Sequence, residues 1–362
     1  MRLKQKGPAS ALTENGAIPG VDSAHTVGPI RIVGLLPAYV KRRPDMKIHC
    51  PFCNSESFKI HQRNSHTCNT IHRCMDCNRC FSELRFTGYS GLKLAPKKIA
   101  QVVNCLVEGV SIRATSRLVG VEKKTVIRVM LHAANLCQKV MDARLVNLRS
   151  RYLQADELWC FTKKKEARVT AKDRAGVHHV GDTWIFLATD AESKLVPSFV
   201  VSANRGLPAA EQLMCDLASR LAVRPQISTD GLRSYIWGVE RAFGSEVDYG
   251  MLIKSYAERD GNLEVVDARP RPITGHPAIE HISTSYAERN NLNCRMFMRR
   301  LTRLTNAFSK RVENLAAALW LYFSHYNFVR VHGSLRVTPA MAAGVTDHIW
   351  SIEEMLNLGA AA

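Results

Sequence analysis

Two Cys-x-x-Cys pairs, Cys50-Pro-Phe-Cys53 and Cys74-Met-Asp-Cys77, are separated by 20 residues, and they restrict the local fold more than any other feature of the chain. Two such knuckles at this separation predict a zinc ribbon over residues 46–90, because four thiolates close a tetrahedral site around one structural Zn²⁺. The ion lets a segment of about 40 residues fold where its own core would be inadequate. Cys80 makes an overlapping pair with Cys77, and His66, Cys68 and His72 are close by, so the ligand identities stay open within that group. Unliganded buried thiols are the plain alternative. Cys105, Cys137, Cys160, Cys215 and Cys294 are isolated in sequence, and ordinary packing explains them.

Residues 91–145 carry a different pattern. KKIAQVVNCLVEG stops at Gly109, SIRATSRLVG starts on a Ser cap and stops at Gly120, and EKKTVIRVMLHAANLC follows. Helix, turn, helix is predicted, with Lys123, Lys124, Thr125 and Arg128 on the first turns of a recognition helix facing a DNA major groove. A plain three-helix bundle has the same pattern.

From Arg151 the segments read as strand (RYLQADELW), basic loop, two strands (TWIFLATDA and LVPSFVVSA), helix (AAEQLMCDLASRL) and strand (PQISTD). A mixed α/β sheet follows. Asp156 and Asp230 each stand where a strand-like run breaks off, and Glu157 could replace Asp156 as a ligand. A third acid, Glu288, opens the stretch Ser285 to Arg311, which then carries seven Arg and Lys and no further acid. Read as one long helix, it puts Glu288, Arg295 and Arg299 on one face and Phe297, Leu301, Leu304 and Phe308 nearly opposite. A carboxylate among cations can hold a divalent metal against a phosphodiester while the arginines grip flanking phosphates. Each acid also has an ordinary reading: Glu288 as half of a capping box with Ser285, Asp230 as a turn residue, Asp156 as a strand-end acid. SYAER occurs twice, so Glu258 rivals Glu288, but Glu258 runs into Asp-Gly-Asn, which is turn chemistry. Residues 258–284 read as a Pro-, Gly- and charge-rich insertion.

ADELW, STDG and the block from SYAERNN through TRLTNAFSKRVEN resemble the DDE transposases of bacterial insertion sequences, and the IS-one family most closely, from about Met46 to the end of the chain. The resemblance implies a ribonuclease H-like α/β catalytic core over residues 146–345, preceded by the zinc ribbon and a helical helix-turn-helix domain. It places the first acid on the first strand, the second just after the fourth and the third on a following helix, which are the places of Asp156, Asp230 and Glu288. Two Mg²⁺ (or Mn²⁺) ions held by those three acids would cut and join DNA without a covalent protein intermediate. The implied partners are double-stranded element ends and target, bound by a homo-oligomer. Tyr326-Asn327-Phe328-Val329-Arg330-Val331-His332 also resembles a segment near the end of such domains. One Tyr beside one Arg and one His is too common to suggest a tyrosine recombinase.

Composition agrees. The chain holds 50 Lys+Arg against 32 Asp+Glu, a formal net charge of +18, which favours a polyanionic partner such as nucleic acid. Apolar runs such as LAAALWLYF fall short of the roughly 20 residues a membrane span needs, and no secretory leader is read. Eleven cysteines then read as reduced thiols or metal ligands in a cytoplasmic, nucleoid-associated bacterial protein. Residues 1–45 read as disordered or as lying upstream of the true start, and 346–362 as a tail. Two alternatives remain: a transposase-derived DNA-binding regulator, and a metal-dependent nuclease without strand transfer.

Overall fold

The computed structural model describes residues 48–65, 67, 69–259 and 262–362, with side chains 259, 262 and 263 left aside. The expectation for residues 1–45 falls outside them, as do His66 and Cys68. Residues 48–362 pack as one unit.

The amino-terminal part is a small antiparallel sheet of β1 (Phe58–Asn64), β2 (Asn69–Cys74) and β3 (Cys80–Ser82). Its core is tiny: Cys50, Cys74 and Phe81 are buried, with Ile48, Phe58 and Cys77 against them. Three helices follow, α1 (Pro96–Val107), α2 (Ile112–Val119) and α3 (Lys123–Arg144). Proline at the start of α1 and the Ser111 hydroxyl accepting from the Ala114 amide at 3.2 Å begin the first two helices. Gly120, at φ 68°, ends α2 in the left-handed region that glycine tolerates.

The main sheet has six strands in the order β6-β5-β4-β7-β8-β9. They are β4 (Tyr152–Thr162), β5 (Gly181–Asp190), β6 (Phe199–Ser202), β7 (Gln226–Thr229), β8 (Asp248–Arg259) and β9 (Asn262–Thr274). β4, β5 and β6 are antiparallel, β4, β7 and β8 are parallel, and β9 returns antiparallel along β8. Short α4 (Ala171–Arg174) sits in the basic loop, where Asp173 pairs with Lys163 and Lys164. α5 (Leu207–Arg220) and α6 (Ser234–Phe243) cover one face of the sheet, burying Leu153, Ala155, Phe186, Ile227 and Tyr249. The other face takes α7 (Ser285–Phe297) and α8 (Val312–Phe328), which share a core with α3. α9 (Pro339–Ala342) and α10 (Ile352–Ala361) complete the chain.

Three expectations need correction. Residues 258–284, read as a Pro-, Gly- and charge-rich insertion with no strand assigned to it, are largely strand: β8 runs through Glu258 and pairs with β9 as a long hairpin. Pro270 and Pro272 are compatible with a strand there because β9 is the sheet edge. The helix expected from Ser285 to Arg311 stops at Phe297. Met298 leaves helical dihedrals (φ −112°, ψ 97°), so that Met298 and Leu301 enter the core and Phe308 meets the Phe161 ring at 5.0 Å. Leu304, expected on the apolar stripe, is 91% exposed.

The third correction concerns the expected tail, which carries α10 with Met355 and Leu356 buried in the α3–α8 core. A Cβ at Gly359 would fall inside contact distance of the Leu136 carbonyl oxygen on α3. Gly359→Val should therefore cost about 1–3 kcal/mol of overpacking, measured as a lower urea midpoint; an unchanged midpoint would mean that α10 is not docked there.

Candidate functional site

The sheet contains a notch. β7 ends at Thr229, opposite Ala155 of β4 and Met251 of β8, whereas both neighbours run on. The carboxyl ends of parallel strands are where open α/β sheets place ligands. Here the two flanking strands and the first residue after β7 wall a gap containing Asp156, Glu157, Asp230 and Lys254.

Alternation along β4 sends Asp156 toward α7 and Glu157 toward α6. The Asp156 Oδ2 atom accepts from Asn291 Nδ2 of α7 at 2.7 Å, and Oδ1 accepts from the Glu157 amide at 2.9 Å. Glu157, with a side chain 1% exposed, accepts from Arg205 Nε and Nη2 at 3.1 and 2.9 Å. The Tyr235 hydroxyl of α6 is close enough to favour the ionised Glu157, yet neither that hydroxyl nor Glu157 Oε1 has a well-formed hydrogen bond. Asp230 does two jobs. Its Oδ1 accepts from the Leu232 amide at 3.0 Å, closing a turn, and its Oδ2 accepts from Arg205 at 3.4 Å. One oxygen from each of Asp156, Glu157 and Asp230 lies within 4.8 Å of the others.

Glu288 stands apart from that trio but within electrostatic reach of Asp156. Lys254 Nζ of β8 pairs with its carboxylate, and the Thr284 hydroxyl donates to the same oxygen at 2.5 Å. No capping box forms. Instead Gln154, two residues before Asp156 on the same face of β4, accepts from the Tyr286 and Ala287 amides at 2.7 and 3.2 Å. A strand side chain thus caps α7 and fixes where Glu288 projects. Glu258 lies exposed near the far end of the β8–β9 hairpin.

Burial, then the charges of Glu157, Asp230 and Glu288, push the Asp156 carboxyl up to about 7; burial and the Asp230 charge also raise Glu157. Four carboxyls face two cations, Arg205 and Lys254. The donor set is all oxygen, Glu157 Oε1 is a buried acceptor without a bonded hydrogen, and the negative charge is uncompensated. Those residues fit a hard divalent cation.

A pH effect follows. The folded protein binds the Asp156 proton more tightly than the unfolded chain, so metal-free stability falls as pH rises between about 4 and 7, by on the order of 4 kcal/mol if that group titrated alone. Melting curves should show the wild-type Tm declining across that window and Asp156→Asn declining less. Added Mn²⁺ at about pH 8 should raise the wild-type Tm and not the variant's. Parallel wild-type and variant curves would refute the assignment.

The four sulfurs of Cys50, Cys53, Cys74 and Cys77 also lie within 4.8 Å of one another, with Cys50–Cys77 and Cys53–Cys74 each at 3.5 Å. Thiolates about 2.3 Å from a tetrahedral ion are roughly 3.8 Å apart, so this cluster could form a zinc site. Amides of Cys77 and Asp76 help pull the Cys74 thiol down to about 6. Cys80 is exposed and His72 is packed against the Phe58 ring at 4.9 Å, so neither belongs to the cluster.

Lys123, Lys124 and Arg128 are exposed at the start of α3, with Thr125 half-buried beside them. Arg295 does not point outward: its Nη1 and Nη2 donate to the Leu301 and Trp159 carbonyls at 3.0 and 3.2 Å, bracing the chain where α7 ends. Arg299 is exposed beyond that break. Sequence reasoning missed Gln154, Asn291, Arg205 and Lys254. Strand spacing from Asp156 and helix spacing from Glu288 could have found the first two; nothing local marks Arg205 or Lys254.

No protein-family model matches the chain, and no curated protein does. Among solved structures, one match is the piggyBac transposase synaptic complex with hairpin DNA, determined by cryo-electron microscopy. It is 10% identical over 72% of this chain and 69% of that one, with a TM-score of 0.35. A likeness at that score carries no weight for fold or function. Among the described residues no helix is long and apolar enough to cross a membrane.

Proposed function

We propose that the chain is a DDE-type DNA transposase of a bacterial insertion sequence, related to the IS-one family, that binds double-stranded element ends and catalyses metal-dependent strand cleavage and transfer. The observation that carries this reading is the notch itself. Asp156, within one strand, and Asp230, just past the end of its parallel neighbour, converge there beneath a helix bearing Glu288. Numbered from β4, the five strands β6-β5-β4-β7-β8 run 3-2-1-4-5, three antiparallel and then two parallel, an arrangement we read as a ribonuclease H-like core.

Asp156, Asp230 and Glu288 would hold the metals, with Glu157 within reach. Two bound Mg²⁺ or Mn²⁺ ions would supply Lewis acidity and an acidified water for in-line displacement at phosphorus. The protein groups do the positioning. Asn291 orients Asp156, Gln154 anchors the first turn of α7, and Thr284 fixes the rotamer of Glu288. Arg205 and Lys254 bring positive charge to the edge of the notch, where a phosphodiester needs it. Upstream, the Gly120 turn between α2 and α3, with Lys123, Lys124, Thr125 and Arg128 exposed or half-buried after it, supports a helix-turn-helix reading of the major groove. The cysteine cluster would hold structural zinc. Joining two element ends calls for a homo-oligomer on DNA, acting at the nucleoid in the cytoplasm.

The ion pairs of Arg205 and Lys254 favour one second reading, a DNA-binding regulator in which those cations replace metal permanently. The test is a labelled element-end duplex incubated with Mg²⁺ or Mn²⁺. Nicked and joined products are expected; nicking alone would indicate a nuclease, and binding without either product a regulator. DNA linked covalently to protein in the presence of EDTA would overturn the metal mechanism. Tyr326 is poorly placed for that chemistry, being buried with its hydroxyl on the Lys194 carbonyl at 3.0 Å.

A further inference from the structure

A second cleft, of about 560 Å³, lies between α7, α8 and the chain that follows α8, on the flank of α7 away from Asp156. Lys194, Arg289, Arg330 and His332 line it, and among the described residues no Asp or Glu does. Among the described residues neither Arg289 nor Arg330 has a carboxylate partner. Burial, then the charges of Lys194, Arg330 and Arg289, hold the His332 imidazole below its usual range. Three basic side chains thus crowd around that ring. Such crowding opposes folding unless an anion is received there.

Aromatic faces stand beside the cations. Lys194 Nζ lies 3.2 Å from the centre of the Tyr286 ring, and the Arg330 guanidinium 3.8 Å from that of Phe297. Tyr286 itself is 41% exposed. Cations that take phosphate, interleaved with rings that stack on bases, are the chemistry of single-stranded nucleic acid binding. The volume suits one nucleotide unit rather than a duplex. The segment Tyr326 to His332 divides its work accordingly. Asn327 exchanges two hydrogen bonds with the Val196 backbone, at 3.0 and 2.8 Å, and Phe328 stacks on Trp350 at 4.2 Å. Anchored in this way, the segment turns Arg330 and His332 into the cleft.

We propose that this cleft receives one unpaired nucleotide of a DNA strand, its phosphate on Arg289 and Arg330 and its base against Tyr286. The proposal rests on the reading of the chain as a DNA-processing protein, but it is read by binding alone. A short single-stranded oligonucleotide carrying 2-aminopurine is titrated with the full-length protein without added Mg²⁺. The wild-type protein should bind it and quench its fluorescence, and Asp156→Asn should do the same. Arg289→Gln, a change at an exposed side chain, and Arg330→Gln should each weaken binding at least about tenfold. Tyr286→Leu should lose the quenching. Unchanged binding in folded Arg289→Gln protein would overturn the proposal. Competition by inorganic phosphate as effective as by unlabelled oligonucleotide would leave only an anion site, and a free deoxynucleotide bound as tightly as the strand would mean that no strand is recognised; either result overturns it. Loss of catalysis in Asp156→Asn with intact quenching keeps the two assignments distinguishable.

Discussion

Asp156→Asn, Asp230→Asn and Glu288→Gln proteins should bind element-end duplex like the wild type and cut it at least about a thousandfold more slowly, on the order of 4 kcal/mol of lost transition-state stabilisation. Each carboxylate keeps a different part of the notch in place. Asp156 is tied to α7 through Asn291, Asp230 to the turn after β7 through Leu232, and Glu288 to β8 through Lys254. Amide substitutions preserve shape and remove charge, so retained binding beside lost cleavage isolates the chemistry. Glu258→Gln should stay active, because Glu258 is exposed near the end of a hairpin. Tyr326→Phe should not abolish cleavage. The measurement is single-turnover nicking and joining in Mg²⁺ and Mn²⁺. An active Glu288→Gln beside a dead Glu258→Gln would move the third ligand to the hairpin. Glu157→Gln is informative as well: if Glu157 only anchors Arg205, its loss should be much milder than that of Asp156.

Removing zinc should unfold the amino-terminal segment and leave the rest folded. Among the described residues the apolar core of this segment is only Cys50, Cys74 and Phe81 with a few neighbours, whereas structural zinc supplies roughly 10–16 kcal/mol of apparent binding energy at neutral pH. One Zn²⁺ per chain is expected by elemental analysis. The double variant Cys74→Ser, Cys77→Ser should lose zinc and end binding and become protease-sensitive between about residues 48 and 90, while the fragment containing the main sheet survives digestion. Protein purified without chelator and found free of zinc would refute the site.

What the sequence determined by itself is what depends on neighbours along the chain. Four cysteines at knuckle spacing, a Ser cap before α2, a Gly after it and the succession of strands and helix from Arg151 are all written in short-range patterns, and the structure has elements at those places. Asp230 stands just past β7, where a strand-like run was expected to break off, but Asp156, expected at a strand end too, lies inside β4, which runs on to Thr162 because it pairs with β5 along its length. Tertiary structure alone decided how those pieces meet. The basic stretch after Glu288 has helical periodicity to Arg311, but burying Met298 and Leu301 and docking Phe308 on Phe161 break it at Phe297 and turn Arg295 inward onto two carbonyls. The carboxyl-terminal residues look like a tail until α3 offers Leu136 beneath Gly359. The surroundings of the acids, Arg205 on Glu157, Lys254 on Glu288 and Gln154 capping α7, link residues 34 to 133 positions apart in the chain. Periodicity says which face a residue occupies; only the order of strands in the sheet says what stands across from it.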